Sequence, residues 1–332
     1  MNDKRIALVL GATGGIGGEI ARQMRDAGWQ VRALKRGAKV PAEHRDGIEW
    51  LNGDALDRGS VSAAARDAAV IVHAVNPPGY RNWAKVVLPM LENTIAAAAP
   101  ARATIVLPGT IYNFGPDSFP ILTEESPQHP KTRKGAIRVA MERRLRDYAD
   151  RGGRVLIVRA GDFFGPRTAN SWFSQGLVKA GSPIPRIYDP GRRGMGHGWS
   201  YVPDVARTVL ELLGKGTALE PFATFHMAGH FDTDGTQMIH AIRRVVQRRT
   251  HVEPKIAAFP WWLLTVLAPF VTTFREMREM RYLWREPLQM DNARLRAVLG
   301  EEPHTPLEQA VEATLQGLGC LDVSSAGTAL QR

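Results

Sequence analysis

The chain has 332 residues, enough for one large domain or two modest ones, and its 44% hydrophobic and 23% charged content is that of a globular protein with a sizeable core. Cys320 is the only cysteine, which excludes a disulfide within the chain and a cysteine metal cluster. The net charge of +10 is scattered over pairs such as Arg143-Arg144, Arg192-Arg193, Arg243-Arg244 and Arg248-Arg249; with no basic tail and no recognisable nucleic-acid module, nucleic acid is not the expected partner.

An apolar run, Ile6 to Leu10, opens the chain. It starts so near Met1 that no leader peptide is expected, and a cytoplasmic protein is anticipated. The run reads as a buried strand. It leads into Gly11-Ala12-Thr13-Gly14-Gly15-Ile16-Gly17 and then a helical pattern from Glu19 that ends at Gly28. Strand, glycine turn and helix in this order form a dinucleotide-binding start. Glycine lets the backbone turn sharply and approach a pyrophosphate with no Cβ in the way. The helix N-terminus then offers unpaired N–H groups and partial positive charge. Gly11, Thr13, Gly14, Gly15, Ile16 and Gly17 are therefore the expected phosphate cradle.

A second strand, Gln30 to Arg36, follows. In an NAD site the end of this strand usually carries an acid for the ribose hydroxyls. Lys35 and Arg36 stand there instead, and an arginine can grip the 2′-phosphate of NADP in a bidentate fashion. The expected cofactor is thus NADP, with NAD as the alternative. Ile48 to Leu51 reads as a third strand. Asp54 behind it can accept from an adenine amino group or cap the next helix, Ser60 to Asp67.

Ala69 to Ala74 reads as a fourth strand, buried on both faces, with His73 a core histidine. The Asn76-Pro77-Pro78-Gly79 turn breaks it where a cofactor would pass. A helix over 83–99 and a fifth strand over 103–107 come next. Arg154 to Arg159 is the sixth strand, with Asp162, Phe163 and Phe164 just past its end, where ligands collect in such sheets. Alternating short apolar strands and helices imply a parallel, doubly wound α/β sheet.

In the loop that follows, Arg192, Arg193 and His197 are either anion-binding or plain surface residues. Asp204 is placed as the N-cap of a helix over 205–213. Phe222 to Ala228 reads as a strand and Thr236 to Arg249 as a helix. His226 and His230 lie on strand and turn without acidic or histidine partners, so a metal site is not expected.

The most apolar stretch, Phe259 to Val271, is too short to span a bilayer and is interrupted by Pro269. It reads as a docked helix, with a membrane-surface patch as the lesser alternative. Thr305-Pro306-Leu307-Glu308 has the form of a helix start: cap, proline, and glutamate three residues after the cap. The tail beyond Asp322 is small and polar and is expected to fray.

Five motifs are similar to those of the short-chain dehydrogenase/reductase superfamily, extended or atypical type, in the NAD-dependent epimerase/dehydratase group. They are Gly11-x-x-Gly14-x-x-Gly17, Gly53-Asp54-x-x-Asp57, Thr110-Ile111-Tyr112-Asn113-Phe114-Gly115-Pro116, Arg159 to Pro166, and Tyr201 to Ala206. The resemblance covers nearly the whole chain. It implies a Rossmann-like sheet formed by residues 1–165 with 200–230 returning to it. A smaller, mainly helical substrate-binding part would take 166–199 and 231–322. It further implies a small-molecule substrate, a homodimer through the helices around 83–99 and 135–149, and a cofactor lining of Lys35, Arg36, Asp54, Ala55, Ala74, Asn76, Arg138, Ala160, Asp162 and Phe163.

The same resemblance places Thr110 in the Ser/Thr role that orients the substrate oxygen. The family's Tyr-x-x-x-Lys pair, however, is absent. With Glu142 aligned to a glutamate that often follows the pair, Lys134 stands at the tyrosine position and Arg138 at the lysine position. Arg138 can hold the nicotinamide ribose. Lys134 can move a proton only if its pKa falls well below the free value, and Tyr112, two residues from Thr110 along an extended strand, is a second candidate. Alternatively, Lys134, Arg138 and Glu142 at every fourth position form an exposed charge ladder. With the family's tyrosine missing, the rival reading is a non-catalytic NADP(H) sensor, similar to NmrA-like proteins.

Overall fold

The computed structural model describes residues 5–37, 40–77, 83–192, 194–268 and 272–321. In chain order the first half reads β1 (Ile6–Leu10), α1 (Gly15–Asp26), β2 (Gln30–Lys35), β3 (Ala42–Arg45), β4 (Ile48–Asn52), α2 (Arg58–Ala64), β5 (Ala68–His73), α3 (Trp83–Ala101), β6 (Thr104–Gly109), β7 (Ile121–Leu122), α4 (Arg133–Asp150), β8 (Arg154–Arg159) and β9 (Asp162–Phe164). The second half continues with β10 (Arg186–Asp189), β11 (His197–Tyr201), α5 (Val202–Gly214), β12 (Phe222–His226), β13 (His230–Asp232), α6 (Gln237–Thr250), β14 (Lys255–Ala258), α7 (Trp261–Leu267), α8 (Thr272–Glu279), β15 (Gln289–Met290), α9 (Ala293–Leu299) and α10 (Leu307–Gly317).

The main sheet has the order β12-β8-β6-β5-β1-β2-β4-β3. All its pairings are parallel except that of β3 with β4. Strand order reverses between β1 and β5, so the chain leaves these two neighbouring strands in opposite directions. That is the crevice in which open α/β sheets bind ligands.

Alternation along each strand builds two cores. Leu8, Leu10, Ile71, Ile105 and Ile157 face α2, α3 and α4. Ala7, Val9, Val72, Val106 and Val158 face α1 and α5. Both sheet faces are thus covered, which is why these strands read as continuous apolar runs. A third core, with Phe164, Phe173, Trp199, Ile242 and Leu315, holds β10, β11, α6 and α10 together. A fourth joins the 111–122 segment to Met280, Leu283 and Met290.

Several local expectations are corrected. β3 was not anticipated, because Glu43, His44 and Arg45 form an exposed polar edge; the Asp46-Gly47 turn that makes the hairpin has φ of +53° and +70°, the signature of a two-residue hairpin loop. The second helix begins at Arg58, not Ser60, because Asp57 is its cap and accepts from Gly59 N and Ser60 N at 3.2 and 3.0 Å.

Asp204 is not an N-cap: α5 already starts at Val202, and the buried Asp204 carboxylate accepts from Thr305 N and Thr305 Oγ1, both at 2.7 Å. That contact also takes Thr305 from its own expected capping role. Pro306 occupies the cap position of α10, and Glu308 pairs with Arg244 and Arg248 instead. Pro78 and Gly79 of the expected turn, residues 269–271 of the apolar stretch and the tail beyond Asp322 lie outside the described residues.

Candidate functional site

The glycine loop fills the crevice between β1 and β5. Gly11 has φ +92°, and a Cβ there would lie 2.5 Å from the Ala74 carbonyl oxygen. A Cβ on Gly17 would come within 2.9 Å of the Gly11 carbonyl carbon. These glycines therefore let β1, the turn and α1 close on one another, with Gly14 N bonded to Gly11 O at 2.9 Å. Gly14 occupies the cap position of α1 and supplies no side-chain acceptor, so the first-turn N–H groups carry no capping side chain. An open helix start behind a glycine turn can take a phosphate, and the residues present fit a dinucleotide. Thr13 is exposed, Ile16 packs against the α1–α5 core, and Gly15 abuts Thr168, a Cβ there lying 3.1 Å from the threonine hydroxyl.

The next two strand ends stand beside this loop. Lys35 closes β2, and Arg36 directly follows with its side chain 67% exposed and 3.9 Å from Asp54 Oδ2. Asp54 does not cap α2; its Oδ1 accepts from Leu56 N at 2.9 Å, while Ala55 is buried and its carbonyl accepts from Asn93. At the end of β5, Ala74 touches the glycine turn, and Asn76 Oδ1 accepts from the Trp83 indole at 2.5 Å. His73 is fully buried against Thr94, with its pKa pushed down to about 3 by burial and then by the Arg138 charge, as a core histidine should be.

Thr110 and Tyr112 lie in the turn that follows β6, and Lys134 and Arg138 lie on α4, which packs against that turn. Thr110 follows β6 and is the cap of a short 3-10 turn, Ile111–Asn113, its hydroxyl accepting from Tyr112 N at 3.4 Å. Tyr112 is therefore in a turn, not on an extended strand beside Thr110, and its ring is half-buried against the cluster of Ile111, Phe114 and Met280.

Lys134 sits in the first turn of α4 behind the Thr132 cap and is only 4% exposed. Its neighbours in the chain are both pinned: Arg133 N donates to Glu279 Oε1 at 3.1 Å, and Gly135 is so close to the Tyr112 turn that a Cβ would clash with its carbonyl. One turn on, the Arg138 guanidinium lies 5.4 Å from the centre of the Trp83 ring. The exposed-ladder alternative is thus overturned: Lys134 and Glu142 are both buried and Arg138 is half-buried.

Behind these residues lies a buried charged network not anticipated as a unit. Arg159, at the end of β8 and 1% exposed, donates to Thr110 O at 2.6 Å, Glu142 Oε2 at 2.9 Å and His226 Nε2 at 3.1 Å. Because an arginine can only donate, His226 Nε2 accepts and its proton is on Nδ1, facing the Leu122 carbonyl. Burial and the Arg159 charge push the His226 pKa down to about 3, which agrees with that neutral tautomer. Gln128 joins the network through Glu142 and passes it on to Asn113. The network fixes the Thr110 backbone to the same frame as α4. Its sequence signal is a charged residue, Arg159, directly after the apolar run Val155 to Val158.

On the far side of β8, Ala160 is buried in the sheet core and Phe163 packs against it. Asp162, expected near the cofactor, is bonded to His197 Nε2 at 2.9 Å. His197 in turn stacks on Trp284, with centroids 3.8 Å apart and planes 6° apart. His197 is therefore no plain surface residue. Arg192 is exposed, and Arg193 is outside the described residues. Among the described residues, no group of three histidine, cysteine or acidic side chains is assembled to hold a metal.

Comparison with known proteins bears on the family and the fold. The model of the NAD dependent epimerase/dehydratase family matches residues 7–228. UDP-glucose 4-epimerase from Brucella ovis, solved with NAD, superposes with a TM-score of 0.70 at 16% identity, covering 95% of this chain and 98% of that one. The Thermotoga maritima UDP-glucose 4-epimerase, solved with UDP-glucose, gives a TM-score of 0.69 at 17% identity over 94% and 98% of the two chains. The Bordetella bronchiseptica enzyme WbmH, solved with NAD+, gives 0.67 at 17% identity over 95% and 98%. At such identities these likenesses show the fold. No curated protein matches the sequence.

Proposed function

This chain belongs to the NAD-dependent epimerase/dehydratase family, and from that premise we propose that it is an NAD(P)-dependent oxidoreductase or epimerase acting on a small molecule, with NADP as its preferred cofactor. A nicotinamide dinucleotide, when bound, supplies hydride acceptance or donation at its ring. The protein's own part is to hold and orient. The Gly11 to Gly17 turn and the open first turn of α1 bind the pyrophosphate, and Lys35 and Arg36 bind the 2′-phosphate. Arg138, braced against Trp83, takes the nicotinamide ribose. Thr110, Tyr112 and Lys134 surround the substrate oxygen, Lys134 moving its proton in place of the absent tyrosine.

The observation that carries this reading is the burial of Lys134. A lysine is seldom taken out of water without a task or a partner. Here it stands one turn before Arg138 and beside the Thr110–Tyr112 turn. The test is turnover of NADPH or NADP+ against a panel of carbonyls, alcohols and nucleotide sugars, compared with Lys134→Ala, Tyr112→Phe and Thr110→Ala. The expected result is loss of turnover by about 100-fold or more in Lys134→Ala with cofactor affinity retained, in line with removal of a general acid or base. Unchanged turnover in all three variants would reject the assignment. Tight, selective NADPH binding with no turnover on any substrate would instead favour the sensor reading.

A further inference from the structure

Among the described residues, eight large hydrophobic side chains stand exposed, and five of them fall between residues 252 and 266: Val252, Ile256, Trp262, Leu263 and Val266. α7 contributes three, with Trp262 70% and Val266 59% exposed. The rotation of this helix is fixed by its other face. The Trp261 indole donates to the Pro190 carbonyl at 2.9 Å, its ring packs on Trp172 and Phe259, and Leu264 is buried. Trp262, Leu263 and Val266 are thereby held outward. The one hydroxyl on the helix, Thr265, turns back to the Trp261 carbonyl, and α7 has no charged side chain. Among the described residues, no helix is long and apolar enough to cross a membrane.

We propose that α7 is a membrane-docking wedge that seats this protein on the surface of an anionic lipid bilayer. The occupant is chosen by what surrounds the wedge. From Glu253 to Glu286 the chain carries five cations, Lys255, Arg275, Arg278, Arg281 and Arg285, against four acids, Glu253, Glu276, Glu279 and Glu286. Lys255, Arg275, Arg278 and Arg285 are exposed, and α8, which bears two of these arginines, packs on α7. An apolar patch with an exposed tryptophan, packed beside a helix that carries exposed Arg275 and Arg278, suits the headgroup boundary: the indole and aliphatic side chains enter the acyl edge and the arginines meet anionic headgroups. A second copy of the chain is disfavoured, because a symmetric contact would bring the two cationic rims together.

The test is co-sedimentation of the full chain with vesicles of phosphatidylcholine alone and with about one third phosphatidylglycerol, at low and high salt. The protein is expected to sediment with the anionic vesicles and to partition about tenfold less onto neutral ones or in high salt. The double variant Trp262→Ser/Val266→Ser should lose at least about tenfold in partitioning, since two exposed apolar anchors are removed. Its unchanged thermal melt and NADPH affinity would show an intact fold. No sedimentation with anionic vesicles, or equal sedimentation of the variant, would overturn the proposal. So would a dimer that forms without vesicles and dissolves in the variant, which would make a second copy the occupant.

Discussion

The proposed preference for NADP rests on Arg36, and Arg36→Ala tests it. The guanidinium is 67% exposed and 3.9 Å from Asp54 Oδ2, which is itself 39% exposed. An ion pair so long and so wet is worth about 0–1 kcal/mol, so the variant should fold and melt as the parent does. Against a bound 2′-phosphate the same side chain would make charge-assisted hydrogen bonds worth about 1.5–3 kcal/mol. At about 1.4 kcal/mol per tenfold, NADPH affinity should fall roughly 10- to 150-fold. NADH has no phosphate at that position, so its affinity should change by less than about threefold if only screened, long-range charge is removed. Titration calorimetry of parent and variant with both cofactors gives the four constants. If the parent binds NADH as tightly as NADPH, or if Arg36→Ala weakens both alike, then Arg36 does not read the phosphate and NADP preference is refuted.

Three further outcomes are expected. Gly17→Ala should abolish detectable dinucleotide binding by calorimetry and lower the melting temperature, because its Cβ would meet the Gly11 carbonyl carbon at 2.9 Å and push the loop off β1; a variant that binds as well as the parent would refute the loop as the cradle. Arg159→Met should destabilise the protein by about 3–5 kcal/mol in chemical denaturation, since it strands the buried Glu142 carboxylate, and Arg159→Met/Glu142→Met should recover part of that loss. His73 and His226 titrate near 6.5 when unfolded but at about 3 when folded. Below pH 6.5 the unfolded chain therefore binds more protons, and stability falls as pH falls, by about 2 kcal/mol per histidine at pH 5. Melting temperature measured from pH 7 to 5 should fall steeply, and His226→Gln should flatten that slope; a flat profile in the parent would contradict the buried neutral histidines.

The parts of the protein that were legible in its sequence are those in which local pattern and tertiary role coincide. Ile6 to Leu10 is apolar throughout because both faces of β1 are covered, and Gly11 and Gly17 are glycines because the backbones of β1, β5 and α1 meet there. Where a residue's partner is distant in sequence, the pattern misleads. Asp204 and Thr305 each have the form of a helix cap, yet they cap nothing because they bond to one another across 101 positions. The Asp162 carboxylate is engaged by His197, 35 positions away, a pairing that the local pattern does not show. Tyr112 falls in a 3-10 turn because Thr110 accepts from its N–H, a local bond that strand alternation cannot reveal.

Lys134, Arg138 and Glu142 show why a charge ladder can be buried. At about 1.5 Å per residue, Lys134 and Glu142 lie about 12 Å apart along α4 and share much of one face. Glu142 is held by Arg159 and Gln128, and Arg159 is held in the same frame by the Thr110 carbonyl and His226. That anchor sets the rotation of the whole helix. With Glu142 turned to the end of β8, Arg138 is carried onto Trp83 and Lys134 to the first turn, under the contact that Glu279 makes with Arg133 N. The network therefore ties α4, which carries Lys134 and Arg138, to the Thr110 carbonyl through Arg159 and Glu142. A variant that loosened it, Glu142→Ala, would act on Lys134 and Arg138 without touching either, and would show itself as weaker nicotinamide binding with the adenosine end unchanged, separable by titration with NADPH and with 2′-phospho-ADP-ribose. Equal loss for both ligands would mean a general failure of folding, and no loss for either would mean that α4 is oriented by its apolar face alone.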